Sequence, residues 1–282
     1  MRPTPINSAA GSSPRSNSSP RRKAKHAPSP TSKFGGEPHL AWDEPWPSHN
    51  GRPLHFLAQI RLSEIPKGHL PRGLLPERGW LRLWLDTLGY RIEDSVDPGK
   101  FHITFEPDES RLLQTRPWPL FDERRLPDWG ERWRPFPEAP MTFEPILCLD
   151  HRVWRQLNAA IWDAEGPDGE DRLSAFIEKI QAERREGNHR LLGDVIELQS
   201  DMREECERHA RGLTIFDDVS NRLQRTINTA KDRWRLLVRL DSQRHPMNWC
   251  WGDAGALNWF IRDDDLKQRA FHRACGVWDN GG

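Results

Sequence analysis

The sequence predicts an α+β fold: antiparallel-rich sheet or sheets holding an internally duplicated strand-loop-strand unit, with helices packed against them. Three observations predict it. In residues 234–241, Trp234, Leu236, Val238 and Leu240 alternate with Arg235, Leu237, Arg239 and Asp241, and a period of two sends successive side chains to opposite faces of a strand. Residues 54–62 repeat the pattern, with Leu54, Phe56, Ala58, Ile60 and Leu62 on one face and Gln59 and Arg61 on the other. Each run is followed by a loop and a second alternating run that opens on glycine, GWLRLWLD at 79–86 and GALNWFIR at 255–262, with the two glycines 176 residues apart. Such an echo suggests one supersecondary unit used twice, packed about a pseudo-twofold axis.

The elements follow in chain order. Residues 1–33 are a basic Ser/Pro-rich tail with seven Lys or Arg and no acid; with little to bury, the tail is expected to be disordered. Residues 34–282 form the expected α+β domain. Residues 34–53 read as an irregular aromatic arm across the body, punctuated by Gly and Pro. After the first echo unit, 101–105 and 141–149 read as strands. The proline-rich 116–140 reads as a loop pinned by Trp118, Phe121, Trp129 and Trp133. Asp150 is placed to cap a helix running through Trp162. Residues 171–185 carry Leu173, Phe176, Ile177 and Ile180 at helical spacing. A charged helix begins near Asp201 and ends at Gly212, and another spans 217–231. After the second unit, 263–282 reads as a short helix and an edge strand ending at Trp278.

Composition limits the function classes. The chain of 282 residues is 35% hydrophobic and 30% charged, as expected of a soluble globular protein with ample core material. Its formal charge of +0 hides an asymmetry: beyond the tail, 35 basic residues face 42 acidic ones. A net acidic body argues against nucleic-acid binding. Four scattered cysteines fit neither a zinc site nor a disulfide scaffold, so reduced thiols in the cytoplasm are expected. No apolar run is long enough to span a membrane, and neither a metal nor a cofactor is expected.

FGGEP at 34–38, WP at 46–47, GRPLHFLAQIRLSEI at 51–65, LLPERGWLRLWLD at 74–86, HRLLGDVIELQSDM at 189–202 and LLVRLDSQRHPMNWCWGDAGALNWFIRDDDL at 236–266 together resemble the YwqG-like proteins. The chain departs from that family at Arg239, where Gln is usual, and at Gln243 and Arg244, where a small acidic step is usual. The resemblance implies an α+β fold with an internal duplication and an immunity-type role opposite bacterial toxins; it implies no catalytic residues.

Among individual residues, the loop NWCWGD at 248–253 offers Trp249, Trp251 and Asp253 as candidate binding residues. Two indoles and a carboxylate suit a cation, a sugar or a peptide side chain; equally, the rings can cap the sheet while Asp253 closes a turn. Asp241 and its counterpart region at Gln59 complete the candidate set, and His189 is a titratable neighbour that could equally serve a turn. Asp263, Asp264 and Asp265 read as a helix cap rather than a metal site. The function these residues support is a protein-interaction module for a basic partner, which the YwqG-like resemblance implies is toxin-like. The alternative is a small-ligand-binding domain or cryptic enzyme with its site between the duplicated halves. The nucleotide, zinc-protease and hydrolase motifs are missing.

Overall fold

A computed structural model describes residues 30–87, 99–122, 134–146, 148, 150–166, 189–194, 201–253 and 255–279. The chain runs through β1 (Lys33–Phe34), then an arm carrying β2 (His39–Leu40) and the hairpin β3 (Ser48–His49) and β4 (Arg52–Pro53). The long strands β5 (His55–Arg61), β6 (Trp80–Leu85) and β7 (Phe101–Glu106) follow, then β8 (Gln114–Thr115) and β9 (Ala139–Pro140). Helix α1 (His151–Glu165), β10 (Arg190–Leu191), α2 (Met202–His209) and α3 (Asn221–Ala230) lead into β11 (Trp234–Asp241). The chain then passes through β12 (Ala256–Arg262), α4 (Asp263–Lys267) and β13 (Cys275–Asp279). Two larger antiparallel sheets result among the described residues, ordered β7-β6-β5-β1-β9 and β10-β11-β12-β13, with the two-stranded pairs β2-β8 and β3-β4 beside them, and the fold is α+β.

The two sheets have ladders of matching pattern. Ile60 faces Leu81 and Ala58 faces Leu83, with a bulge between Phe56 and Ala58. Leu240 faces Leu257 and Val238 faces Trp259, with a bulge between Leu236 and Val238. The short strands match as well: Phe34 faces Ala58, and Leu191 faces Val238. Each short strand then turns into the left-handed region to reach its bulge. Gly35 (φ 56) donates its N–H to Leu57 O at 2.7 Å, and Leu192 (φ 63) donates to Leu237 O at 2.8 Å. At Gly35 a β-carbon would lie 2.0 Å from Pro137 O, so glycine is required there on steric grounds too.

The bulges correct the expected faces. An extra residue shifts the phase of alternation, so Phe56 leaves the side of Ala58 and Ile60, and Leu236 leaves the side of Val238 and Leu240. Leu57, Ala58, Ile60, Leu81, Leu83 and Leu85 meet Leu237, Val238, Leu240, Leu257, Trp259 and Ile261 in one interior. Full burial of each such Leu, Ile or Val side chain contributes about 1.5–3 kcal/mol. The opposite faces, read as mostly polar, are also covered. On the first sheet Phe56 and Trp84 lie under Leu40 and Leu54, with Trp46 and Trp118 alongside. On the second, Met202 and Cys206 of α2 cover Trp234, Leu236, Phe260, Cys275 and Val277.

Local rules explain the helix ends. Asp201 accepts from Glu204 N at 3.0 Å and caps α2. Helix α3 starts later than residue 217 because Asp217 is already committed to Thr214 Oγ1 at 2.8 Å, leaving Ser220 to cap Leu223 N. The acids of α4 begin a helix as expected, and Asp263 and Asp265 also pair with Arg235 and Arg273, each at 3.0 Å. In 141–149, the described residues are not in a strand. The predicted helix at 171–185, and Trp129 and Trp133, lie outside the described residues.

Burial also divides the cysteines. Cys206 and Cys275 are buried together, and burial pushes the Cys206 thiol up, whereas Cys250 is exposed and Cys148 half-buried. In native protein a thiol reagent such as DTNB should therefore label Cys250 first and Cys148 more slowly, with Cys206 and Cys275 reacting only on unfolding. Prompt labelling of all four would contradict this packing.

Candidate functional site

The structure separates the residues that the sequence suggested as one site. Gln59 lies on the outer face of the first sheet, fully buried, and spends one end of its amide on the backbone before β1 and the other on the arm. Its Nε2 donates to Thr31 O at 2.7 Å, and its Oε1 accepts from His39 N at 3.0 Å. Asp241 lies on the outer face of the second sheet, bound to Arg239 Nε at 2.5 Å. Arg239 reaches onward to Asn258 Oδ1 at 3.2 Å. Because the two sheets turn their inner faces toward each other, Gln59 and Asp241 point away from one another.

Trp249 and Trp251 do stay together, with ring centroids 5.6 Å apart, but they point inward. Trp249 is wholly buried against Phe34 and His189, and Phe136 packs on both indoles at 6.1 and 6.2 Å. The loop turns its rings in because Ser242 Oγ accepts from Trp251 N at 2.8 Å and Gln243 exchanges backbone bonds with Trp249. What it shows outward is Cys250, Gly252 and Asp253. The Nε1 atoms of Trp249 and Trp251 are buried without a hydrogen-bond partner.

His189 is held as a neutral ring. Its Nδ1 accepts from Asp241 N at 3.2 Å, so its Nε2 carries the proton and faces Gln243 Oε1 at 2.9 Å. Burial lowers its pKa, with Gln243 and Asp241 opposing. A ring engaged at both nitrogens positions the loop; it has no lone pair left for a substrate.

Tertiary structure assembles one polar cluster that sequence reading did not single out. Asn50 (φ 49) and Gly51 (φ 73) make a two-residue turn that sets His49 directly opposite Arg52. Both side chains converge on the buried carboxylate of Asp86, His49 Nδ1 at 3.0 Å and Arg52 Nη2 at 2.7 Å. The signal was the Asn-Gly pair flanked by two cationic residue types. Nothing local pointed to Asp86. A carboxylate orienting an imidazole can serve acid–base chemistry, and it also satisfies a buried charge.

A cavity of ≈ 10 Å³, room for about one water, is lined by Asp150, Arg152, Asp194, Arg203 and Asp263 among others. These charges answer one another: Arg203 pairs with Asp194, and Arg152 with Asp150 at 2.8 Å. Among the described residues no cluster of three or more potential metal ligands occurs, and no helix is long and apolar enough to cross a membrane.

The surface carries a clearer feature. Trp42 and Leu112 are 79% and 78% exposed. The ladder pair Leu40–Gln114 on one side and the ion pair of Asp43 with Arg111 on the other bracket them, so both sit on one stretch of surface. Arg116 Nη1 holds Trp42 O at 2.9 Å, which fixes the backbone beneath the indole. Residues 32–280 match the model of a family described as a domain of unknown function. No curated protein matches the chain.

Proposed function

We propose a function for a chain that belongs to the DUF1963 family: it is a protein-interaction module that takes a basic partner on the arm of the first sheet. Trp42 carries this reading. A tryptophan left 79% exposed on a backbone fixed by hydrogen bonds, beside an equally exposed Leu112, loses little conformational freedom on binding and offers a large apolar anchor. The excess of 42 acidic over 35 basic residues beyond the tail favours a basic partner and speeds encounter. The YwqG-like resemblance adds an immunity-type role, neutralising a toxin by occluding its surface. The matched ladders and bulges support reading the two sheets as an internal duplication.

The test is retention from native extract by the full chain and by the double variant Trp42→Ala/Leu112→Ala. Wild type should hold one basic protein in stoichiometric amount, and the double variant should lose it at unchanged thermal midpoint, each anchor contributing about 2 kcal/mol. Equal retention by both proteins, or no stoichiometric partner, would overturn the reading.

One observation favours a second reading, a small-ligand site in the loop of Trp249, Trp251 and Asp253. Two adjacent buried indole N–H groups without partners are placed to donate to a ligand oxygen. Gln59 and Asp241 face elsewhere and would not share in it. A ligand-induced thermal shift that Trp251→Phe abolishes would favour this reading over the first.

A further inference from the structure

On the outer face of the first sheet, Arg82 is wholly buried, and Glu44 of the arm meets it at Nη1, 2.9 Å from Oε1. Its Nε and Nη2 are buried with no hydrogen-bond partner. Those two nitrogens share one edge of the guanidinium plane, and their parallel N–H bonds form the fork that grips two oxygens of one oxyanion. Trp80, two residues away on the same face of β6, also buries its Nε1 without a partner.

The adjacent polar side chains Trp84 and Gln59 are satisfied. Trp84 donates to Thr104 Oγ1 at 3.1 Å, and the Gln59 amide is engaged at both ends, by Thr31 O and His39 N. The unmet hydrogen bonding of β6 here is thus made of donors and belongs to Trp80 and Arg82. Groups with only donors unmet call for an acceptor, and a buried cation calls for a negative one. Burial lowers the pKa of Arg82, with Glu44 and Glu106 opposing, as expected for a charge whose lost hydration is partly replaced.

We propose that the layer between β6 and the arm is an anion-binding site in which the Nε and Nη2 edge of Arg82 grips a small carboxylate. Trp80 Nε1 supplies a third donor. Glu44 limits the site to a single negative charge, because a dianion such as phosphate would meet its carboxylate. Complete burial limits the ligand to the size of formate or acetate, or to a carboxylate tip entering as the arm moves.

Thermal unfolding of the full chain in sodium acetate, against sodium chloride at equal ionic strength, tests this. Acetate should raise the midpoint saturably above chloride, phosphate should not, and Arg82→Lys, which keeps the charge and loses the fork, should abolish the difference. Glu44→Gln, which removes the competing carboxylate, should tighten half-saturation about tenfold, and Trp80→Phe should weaken it about fivefold. N-acetyl-aspartate amide alongside acetate separates the sources. A shift with acetate alone marks a free ligand, and an equal shift with the capped residue marks one carried on a polypeptide. Acetate indistinguishable from chloride in wild type and in Glu44→Gln would overturn the site. So would an undiminished acetate shift in Arg82→Lys or, should that variant not fold, unchanged half-saturation in both Trp80→Phe and Glu44→Gln.

Discussion

Glu207→Ala should lower the unfolding free energy by about 3–5 kcal/mol, read as a shift of the urea midpoint at unchanged slope. The carboxylate is only 2% exposed and collects the Trp234 indole N–H at 3.0 Å, Arg262 Nη2 at 2.7 Å and Arg211 Nη2 at 2.7 Å. These partners come from β11, the end of β12 and the turn that follows α2, so Glu207 fastens the helix to the second sheet. Its removal leaves a buried indole donor and a guanidinium, stacked 5.0 Å from that indole, without their acceptor. Glu207→Gln should cost less, since it keeps an acceptor and loses the charge. A loss under about 1 kcal/mol for the alanine variant would mean that the helix docks through Met202 and Cys206 alone.

The same carboxylate predicts a pH dependence. Burial pushes Glu207 upward, but the bonds from Trp234, Arg262 and Arg211 outweigh it, and its pKa is lowered. Glu109 behaves alike under Ser63, Gly79 and Arg61, and Glu204 under Gln224, Arg208 and Lys231. A group whose folded pKa is depressed binds fewer protons in the native state. Its stabilisation is present above the unfolded value of about 4.3 and is lost as pH falls through the folded pKa. Stability should fall on acidification below about pH 4, and the fall should be shallower in Glu207→Gln.

Gly276→Ala should cost about 3 kcal/mol, large for one methyl group. Gly276 faces Trp259 across the β12–β13 ladder, and a β-carbon there would lie 1.9 Å from Phe101 Cγ. Phe101 cannot give way, because its ring is 1% exposed and packs edge-on against Trp259 at 5.4 Å. The site is where β7 of one sheet meets β13 of the other. A double-mutant cycle checks the cause. In a Phe101→Ala background the added methyl should cost almost nothing, whereas additive losses would place the strain elsewhere.

Local chemistry made much of the fold readable. The long strands announced themselves because a period of two is a property of adjacent residues, and the caps at Asp150, Asp201 and Gly212 because helix ends recruit neighbours. The candidate site was legible only in part. Trp249 and Trp251, two residues apart in sequence, lie with their ring centroids 5.6 Å apart, but a tryptophan in a loop has the same letters whether its ring points in or out. The exposed Trp42 was passed over for the same reason.

By itself the sequence determined the long strand pairs and the acidic body, set by the alternation of adjacent residues and by composition. Only the tertiary structure decided that both faces of each sheet are covered and that an extra residue at Leu57 and at Leu237 reverses which side chains share the interior. It also joined Arg82 to Glu44 across 38 residues, Asp86 to His49 across 37 and Glu207 to Arg262 across 55. A buried charge must find an opposite charge somewhere in the chain, and folding, not proximity in sequence, selects which one.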